Sequence, residues 1–312
     1  MKRGYIILLL VVLLIIAGCT GGTNKIEKPR AFIGGNDALS IKFVDDQPPK
    51  KVLDNNQEPF EITLLIKNNG EHDIIDSDII ATLSGISQQD FQMNALSVTN
   101  NFDFPGRDII GETETEGAED VFEFGTATYK HNLNADFTTT VRADVCYKYR
   151  TIAAANLCLK KDTSKTEKSD VCDITNDKVV VENSGSPVHV TKIQERRSGS
   201  NQVRITFDVE NIGTGDVYEP NFFTNKCYVD EDRDDRLSID VTSPSSDITA
   251  RCAQLDGAHS GNVRLTGGKK LITCTIDTLN IQETAFEGRV NIFLDYFYRD
   301  AVATDITIED SE

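Results

Sequence analysis

Eleven residues, FEITLLIKNNG from Phe60 to Gly70, return 143 positions later as VRITFDVENIG from Val203 to Gly213. Both stretches alternate. Phe60, Ile62, Leu64 and Ile66 point one way, and Val203, Ile205, Phe207 and Val209 match them position by position. The residues between are polar, with Leu65 the exception. Side chains of a strand alternate between its two faces, so this pattern predicts a strand with one buried face. Each stretch stops at Asn-x-Gly, Asn68–Gly70 and Asn211–Gly213, which suits a turn.

A second pair repeats with a shift of 149: CYKYRTIAAANLCL from Cys146 to Leu159 and DYFYRDAVATDITI from Asp295 to Ile308. Tyr147, Tyr149 and Arg150 correspond to Tyr296, Tyr298 and Arg299. Each reads as a strand, a short turn and a returning strand. The copies begin alike, at Ala38 in ALSIKFV and Pro187 in PVHVTKI. The shift grows by only six residues between the two matches, a size that surface loops absorb. The copies therefore span 37–159 and 186–309, joined by a polar connector, 160–185, in which Val179–Glu182 can pair as a strand. No long stretch shows a helical period, and Gly, Pro, Asn and Asp punctuate many short strands. The reading is all-β, two tandem sandwich domains after an N-terminal segment. With no Trp in the chain, Tyr147 and Tyr296 are expected to fill the core, their hydroxyls reaching polar partners.

The pattern I-x-x-x-V-x-N-x-G-x-G-x-V, Ile205 through Val217, resembles the cell-adhesion-related immunoglobulin-like (CARDB-type) domains of prokaryotic surface proteins. The tandem arrangement, with CYKYRTIAAANLC, SGSPVHVTKI and VRLTGGKKLITC, is similar to uncharacterised envelope proteins of archaea. The resemblance covers most of the chain beyond the N-terminal segment. It implies immunoglobulin-like sandwiches and a surface, adhesion-type role, and carries no functional residue across. The first copy departs from the pattern: Glu71-His72-Asp73 follow the glycine where the second has Thr214-Gly215.

The N-terminus concerns location. Lys2 and Arg3 precede an apolar run from Tyr5 to Ala17, and Ala17 and Gly18 precede Cys19. Residues 1–18 read as a secretory signal. Ile16-Ala17-Gly18-Cys19 also resembles the lipobox of prokaryotic lipoproteins, which implies lipid attachment at Cys19 and a tether, 19–36. An uncleaved anchoring helix and a plain secretory signal are the alternatives. All three place the remainder outside the cytoplasm, and the first two attach it to the membrane by its N-terminus. The net charge of −18 excludes the basic footprint that nucleic acid needs. It suits solubility, cations or basic partners.

Six further cysteines, Cys146, Cys158, Cys172, Cys227, Cys252 and Cys274, make an even count that suggests disulfides in an exported chain. Cys146 and Cys158 would face each other across the expected hairpin, and Cys252 and Cys274 would staple neighbouring strands. Cys172 and Cys227 would then pair, with Cys158–Cys172 the rival. Asp230, Asp232 and Asp234 stand at alternate positions, oxygen-rich spacing that suits calcium. Asp235 and Val241 stand where a helix-loop-helix calcium loop needs Gly and Glu. Asp73, Asp76 and Asp78 form a weaker cluster. His72, His131, His189 and His259 fall in no zinc-protease spacing, and GGKK at Gly267–Lys270 reads as a turn. No catalytic residue is nominated. The expectation is a non-catalytic envelope protein that binds or spaces other surface proteins, with a glycan- or solute-binding accessory as the alternative.

Overall fold

The computed structural model describes residues 30–164, 171–174, 178–222, 227, 234–243 and 248–311. Cys19, Asp230 and Asp232 lie outside them. The described chain is all-β, built from several sheets, as a sandwich requires. The repeated strands are β3 (Phe60–Asn68) and β12 (Gln202–Asn211). β3 lies between β1 (Leu39–Phe43) and β8 (Glu119–Ala127). β12 lies between β11 (Val188–Arg197) and β17 (Lys269–Asp277), with β15 (Ala250–Cys252) beyond β17. The expected inward residues are buried: Ile62, Leu64, Ile66, Val203, Ile205, Phe207 and Val209 are at most 1% exposed. Leu39 opposite Asn68 and Val188 opposite Asn211 give both copies the same register.

Both small sheets lie over one large sheet of nine strands. Its main path runs β16 (Ser260–Arg264), β14 (Arg236–Thr242), β18 (Ala285–Glu309), β9 (Phe137–Lys160), β4 (Ile79–Ser84), β5 (Ser97–Thr99). β10 (Val181–Asn183), the expected connector strand, adds to β9. β13 (Asp216–Tyr218) and β2 (Lys51–Leu53) add to β18. A separate hairpin joins β6 (Asp108–Ile110) to β7 (Thr113–Thr115).

The long strands correct the sequence reading. Neither Cys146–Leu159 nor Asp295–Ile308 turns back. Each belongs to one continuous strand, and the two strands pair antiparallel from Ala285 opposite Lys160 to Ile308 opposite Phe137. The physical reason is that TIAAAN holds no residue that forces a turn. Thr151, Ala153, Ala155, Leu157 and Leu159 instead continue the buried alternation of Val141, Ala143, Val145, Tyr147 and Tyr149. Tyr149 stands opposite Tyr296 and Tyr147 opposite Tyr298. The repeated motif thus meets its own copy about an approximate twofold axis at Lys148 and Phe297.

Each long strand serves both halves. β18 ends beside β2 of the first copy, with Ile308 opposite Val52. β9 runs on beneath β11 of the second, where Thr151 Oγ1 donates to Val188 O at 2.8 Å. From Ala31 onward the chain packs as one compact unit.

Candidate functional site

The seam between the copies is built from the residues that repeat. In the first copy, Gly70 N donates to Asn68 Oδ1 (3.1 Å) and Asn68 Nδ2 donates to His72 O (2.9 Å). In the second, Gly213 N donates to Asn211 Oδ1 (3.2 Å) and Asn211 Nδ2 to Gly215 O (2.9 Å). The amides of Asn69 and Gly70 share Ala38 O, and those of Ile212 and Gly213 share Pro187 O. A tyrosine closes each turn. Tyr149 Oη donates to Gly185 O at 2.9 Å, and Tyr298 Oη accepts from Gly215 N at 2.7 Å. Only glycine fits beneath these rings. A Cβ on Gly70 would lie 1.8 Å from Tyr149 Oη, and one on Gly213 2.4 Å from Tyr298 Oη.

Burial pushes the phenols of Tyr147, Tyr149, Tyr296 and Tyr298 well above their ordinary range. They remain neutral, as packing groups with a polar tip require. Thr151 Oγ1 and Tyr296 Oη are 3.0 Å apart, the kind of polar partner expected for a core tyrosine.

The cysteine pairing differs in part from the reading above. Cys146 is bonded to Cys227 rather than to Cys158, because β9 carries both Cys146 and Cys158 on one straight strand. Cys158 is bonded to Cys172, and Cys252 to Cys274 across β15 and β17. These three bridges fit an oxidising, extracytoplasmic compartment. Among the described residues, no helix is long and apolar enough to cross a membrane.

The singled-out acids that fall among the described residues are engaged locally. Asp234 accepts from Arg264 Nη2 at 3.0 Å. Asp73 accepts from Gly106 N at 2.8 Å, Asp78 pairs with Lys148 at 2.7 Å, and Asp76 N donates to Asp103. Among the described residues, no group of three or more His, Cys, Asp or Glu is arranged to hold a metal. The histidines are dispersed. His72 packs edge-on against Tyr149, and burial lowers its pKa. His131 pairs with Asp90 and His259 with Asp240, at 2.8 and 2.9 Å. His189 Nε2 donates to Gly35 O at 3.2 Å, and burial lowers its pKa. The two glycines of GGKK form a turn closed by Thr266 and Lys269.

Among the described residues, three features stand open to a partner. The first is a shallow recess of about 300 Å³ beside β14, lined by Asp240, Thr242, Ser243, Thr249 and His259 together with the apolar Val241, Ile248 and Ala250. Its hydroxyls, carboxylate and imidazole suit a small polar solute. The second is a broad cleft of about 500 Å³ carrying Asp46, Glu58 and Glu61. The third is the sheet edges, β8 and β16 among them, which on one side pair with no strand among the described residues. Glu119 and Glu123 put exposed charge along β8.

What Glu71 holds escaped the sequence reading. Glu71 occupies the position where the first copy departs from the shared pattern, and its carboxylate accepts from Ile33 N, Gly34 N and Gly185 N. The departure itself was the available signal.

No family model and no curated protein matches the chain. Among solved structures, it is similar to the envelope protein VP37 of White Spot Syndrome Virus: 11% identity, 49% of this chain, 98% of that one, TM-score 0.21. It is also similar to the secreted serine protease VesC of Vibrio cholerae: 10% identity, 83% of this chain, 50% of that one, TM-score 0.18. At those scores neither likeness carries an argument about fold or activity.

Proposed function

We propose that this is an extracytoplasmic, membrane-attached, non-catalytic binding or spacer protein whose two halves are immunoglobulin-like. One observation carries the reading: the β9–β18 pairing joins both copies into one sheet and leaves loops and sheet edges as the exposed features. A fused head holds such features at fixed spacing, as a presenting protein needs. The two alternating strands that each end in an Asn-x-Gly turn, β3 and β12, sit in small antiparallel sheets beside a larger one, which supports the sandwich part of that reading. The three disulfides and the apolar N-terminus support export. Cys19 is the proposed lipid site, and other envelope proteins, meeting a loop or adding to a sheet edge, are the proposed partners. Mass spectrometry of the membrane-extracted chain tests the anchor: lipid mass on an N-terminal Cys19 is expected, and a chain still bearing residues 1–18 would replace it with an uncleaved helix. Cross-linking on intact cells tests presentation. Links from β8, β16 or neighbouring loops to one or two envelope proteins are expected, and only links within the chain would defeat the reading.

The Asp240–His259 recess favours a second reading, a solute- or glycan-binding accessory. Titration with mono- and oligosaccharides, followed by NMR of the His259 ring, would show saturable shifts under that reading and none under the first.

A further inference from the structure

The segment Ala31–Gly35 is held by side chains and backbone from both copies. Glu71 accepts from Ile33 N and Gly34 N, each at 2.8 Å, and from Gly185 N at 2.6 Å. Arg107 Nη2 donates to Gly34 O at 2.6 Å. Ser186 N and His189 Nε2 donate to Gly35 O at 3.1 and 3.2 Å. Glu182 accepts from Ala31 N at 3.0 Å. Glu71 and Arg107 belong to the first copy, and Ser186 and His189 to the second, with Glu182 in the connector strand between them. Gly34 and Gly35 have φ of 77° and 125°, a path that other residues rarely take. Charge-assisted bonds from one carboxylate to three backbone amides are among the stronger ones available to a chain. Thr214 stands in the second copy where the first has Glu71.

We propose that this cluster is a clamp, with Glu71 at its centre, that fastens the segment leading from the N-terminus across the seam of both copies. A pull on the N-terminus then enters at the seam, where the Glu71 carboxylate and Tyr149 Oη both hold Gly185. It does not peel β1, the edge strand that follows. Cys19 and Ala31 are twelve positions apart in the sequence, so a lipid on Cys19 would place the clamp within twelve residues of the anchor. That last consequence rests on the anchored reading above; the clamp does not.

The test uses the full chain and an arginine-specific protease. Cleavage after Arg30, which is exposed, requires the clamped residues to leave their partners and enter a protease cleft. Glu71→Ala is expected to speed that cut by roughly tenfold or more. Hydrogen exchange at Ile33, Gly34 and Gly185 should accelerate comparably, while β3 and β9 keep their protection. Glu182→Gln, which neutralises the acceptor of the Ala31 amide, should produce a smaller acceleration and leave Gly185 unchanged. Equal cutting and exchange in wild type and both variants would overturn the clamp. Loss of protection throughout β3 and β9 in Glu71→Ala, with no local effect of Glu182→Gln, would overturn it too, by making Glu71 a general support of the fold. Fractionation of the same cells separates the premises: a wild-type chain found wholly in the soluble fraction would remove the anchored consequence while the protease and exchange results still decide the clamp.

Discussion

Glu195 sits against its own chemistry. A bulge between Thr191 and Gln194, with Lys192 at φ 54°, shifts the alternation of β11 so that Ile193 and Glu195 follow Val188 and Val190 inward. Glu195 is 6% exposed and its Oε1 has no hydrogen-bond partner. Burial pushes the carboxyl from 4.5 up to about 7, and the Cys158 N–H offsets this only in part. The fold therefore favours the protonated form. Its stabilising effect is full below the unfolded value, declines as pH rises from about 4.5, and is lost above about 7, a change of about 3 kcal/mol. Urea denaturation of wild type and Glu195→Gln across this range tests it. The variant should gain on wild type as pH rises, and parallel curves would mean the carboxyl is solvated in the fold. Gly70 offers a steric counterpart. Gly70→Ala sets a methyl 1.8 Å from Tyr149 Oη and 2.6 Å from Gly185 O, so a loss of about 3 kcal/mol is expected. Adding Tyr149→Phe should restore only part of it, because the carbonyl remains. Full restoration would mean the ring hydroxyl was the sole obstacle.

The elements divide by how far their signals were local. β3, β12 and the Asn-x-Gly turns were legible because alternation and turn chemistry are written within a dozen residues. β9 and β18 depart from the sequence reading at one point, where a short turn is expected and the buried alternation instead runs on through Leu159. What sustains it there is not local: Ala153–Ala155 pair with β10 on one side and with Val290–Ile292 of β18 on the other. The Cys146–Cys227 pairing was illegible for the same reason, since it depends on β13 and the chain after it returning to β18 and β9. Glu71 was visible only as a break in the repeat, with no indication of what it would hold. The bridges close loops of different length, with separations of 14, 22 and 81 residues for Cys158–Cys172, Cys252–Cys274 and Cys146–Cys227. If each acts by restricting the unfolded chain, paired serine replacement costs about 3 kcal/mol for the two short loops and about 4.5 for the long one. Denaturation midpoints of the three double variants give the ranking. A Cys146–Cys227 variant that proves the least affected would show that loop entropy does not govern these bridges.

At the scale of the molecule, a tandem repeat ordinarily suggests two bodies that fold and melt apart. The arrangement here argues otherwise. The core face of β9 is continuous from Val141 to Leu159, and β18 carries buried residues from Val290 to Ile308. Opening either half would strip the long strands of partners that the other half also uses, and would expose buried tyrosines of both motifs at the axis. Cooperativity should therefore extend across the seam, although the chain is longer than most two-state domains. Scanning calorimetry with the disulfides intact is expected to show one transition, with its calorimetric and van't Hoff enthalpies equal. Phe207→Ala, in the core of the second copy, should cost about 3–5 kcal/mol and move that whole transition downward. Hydrogen exchange should then show the loss equally in β3, which lies in the other copy. Two resolved transitions, or a Phe207→Ala effect confined to β11, β12 and β17, would mean that the long sheet transmits no stability and that the halves are independent domains that happen to share strands.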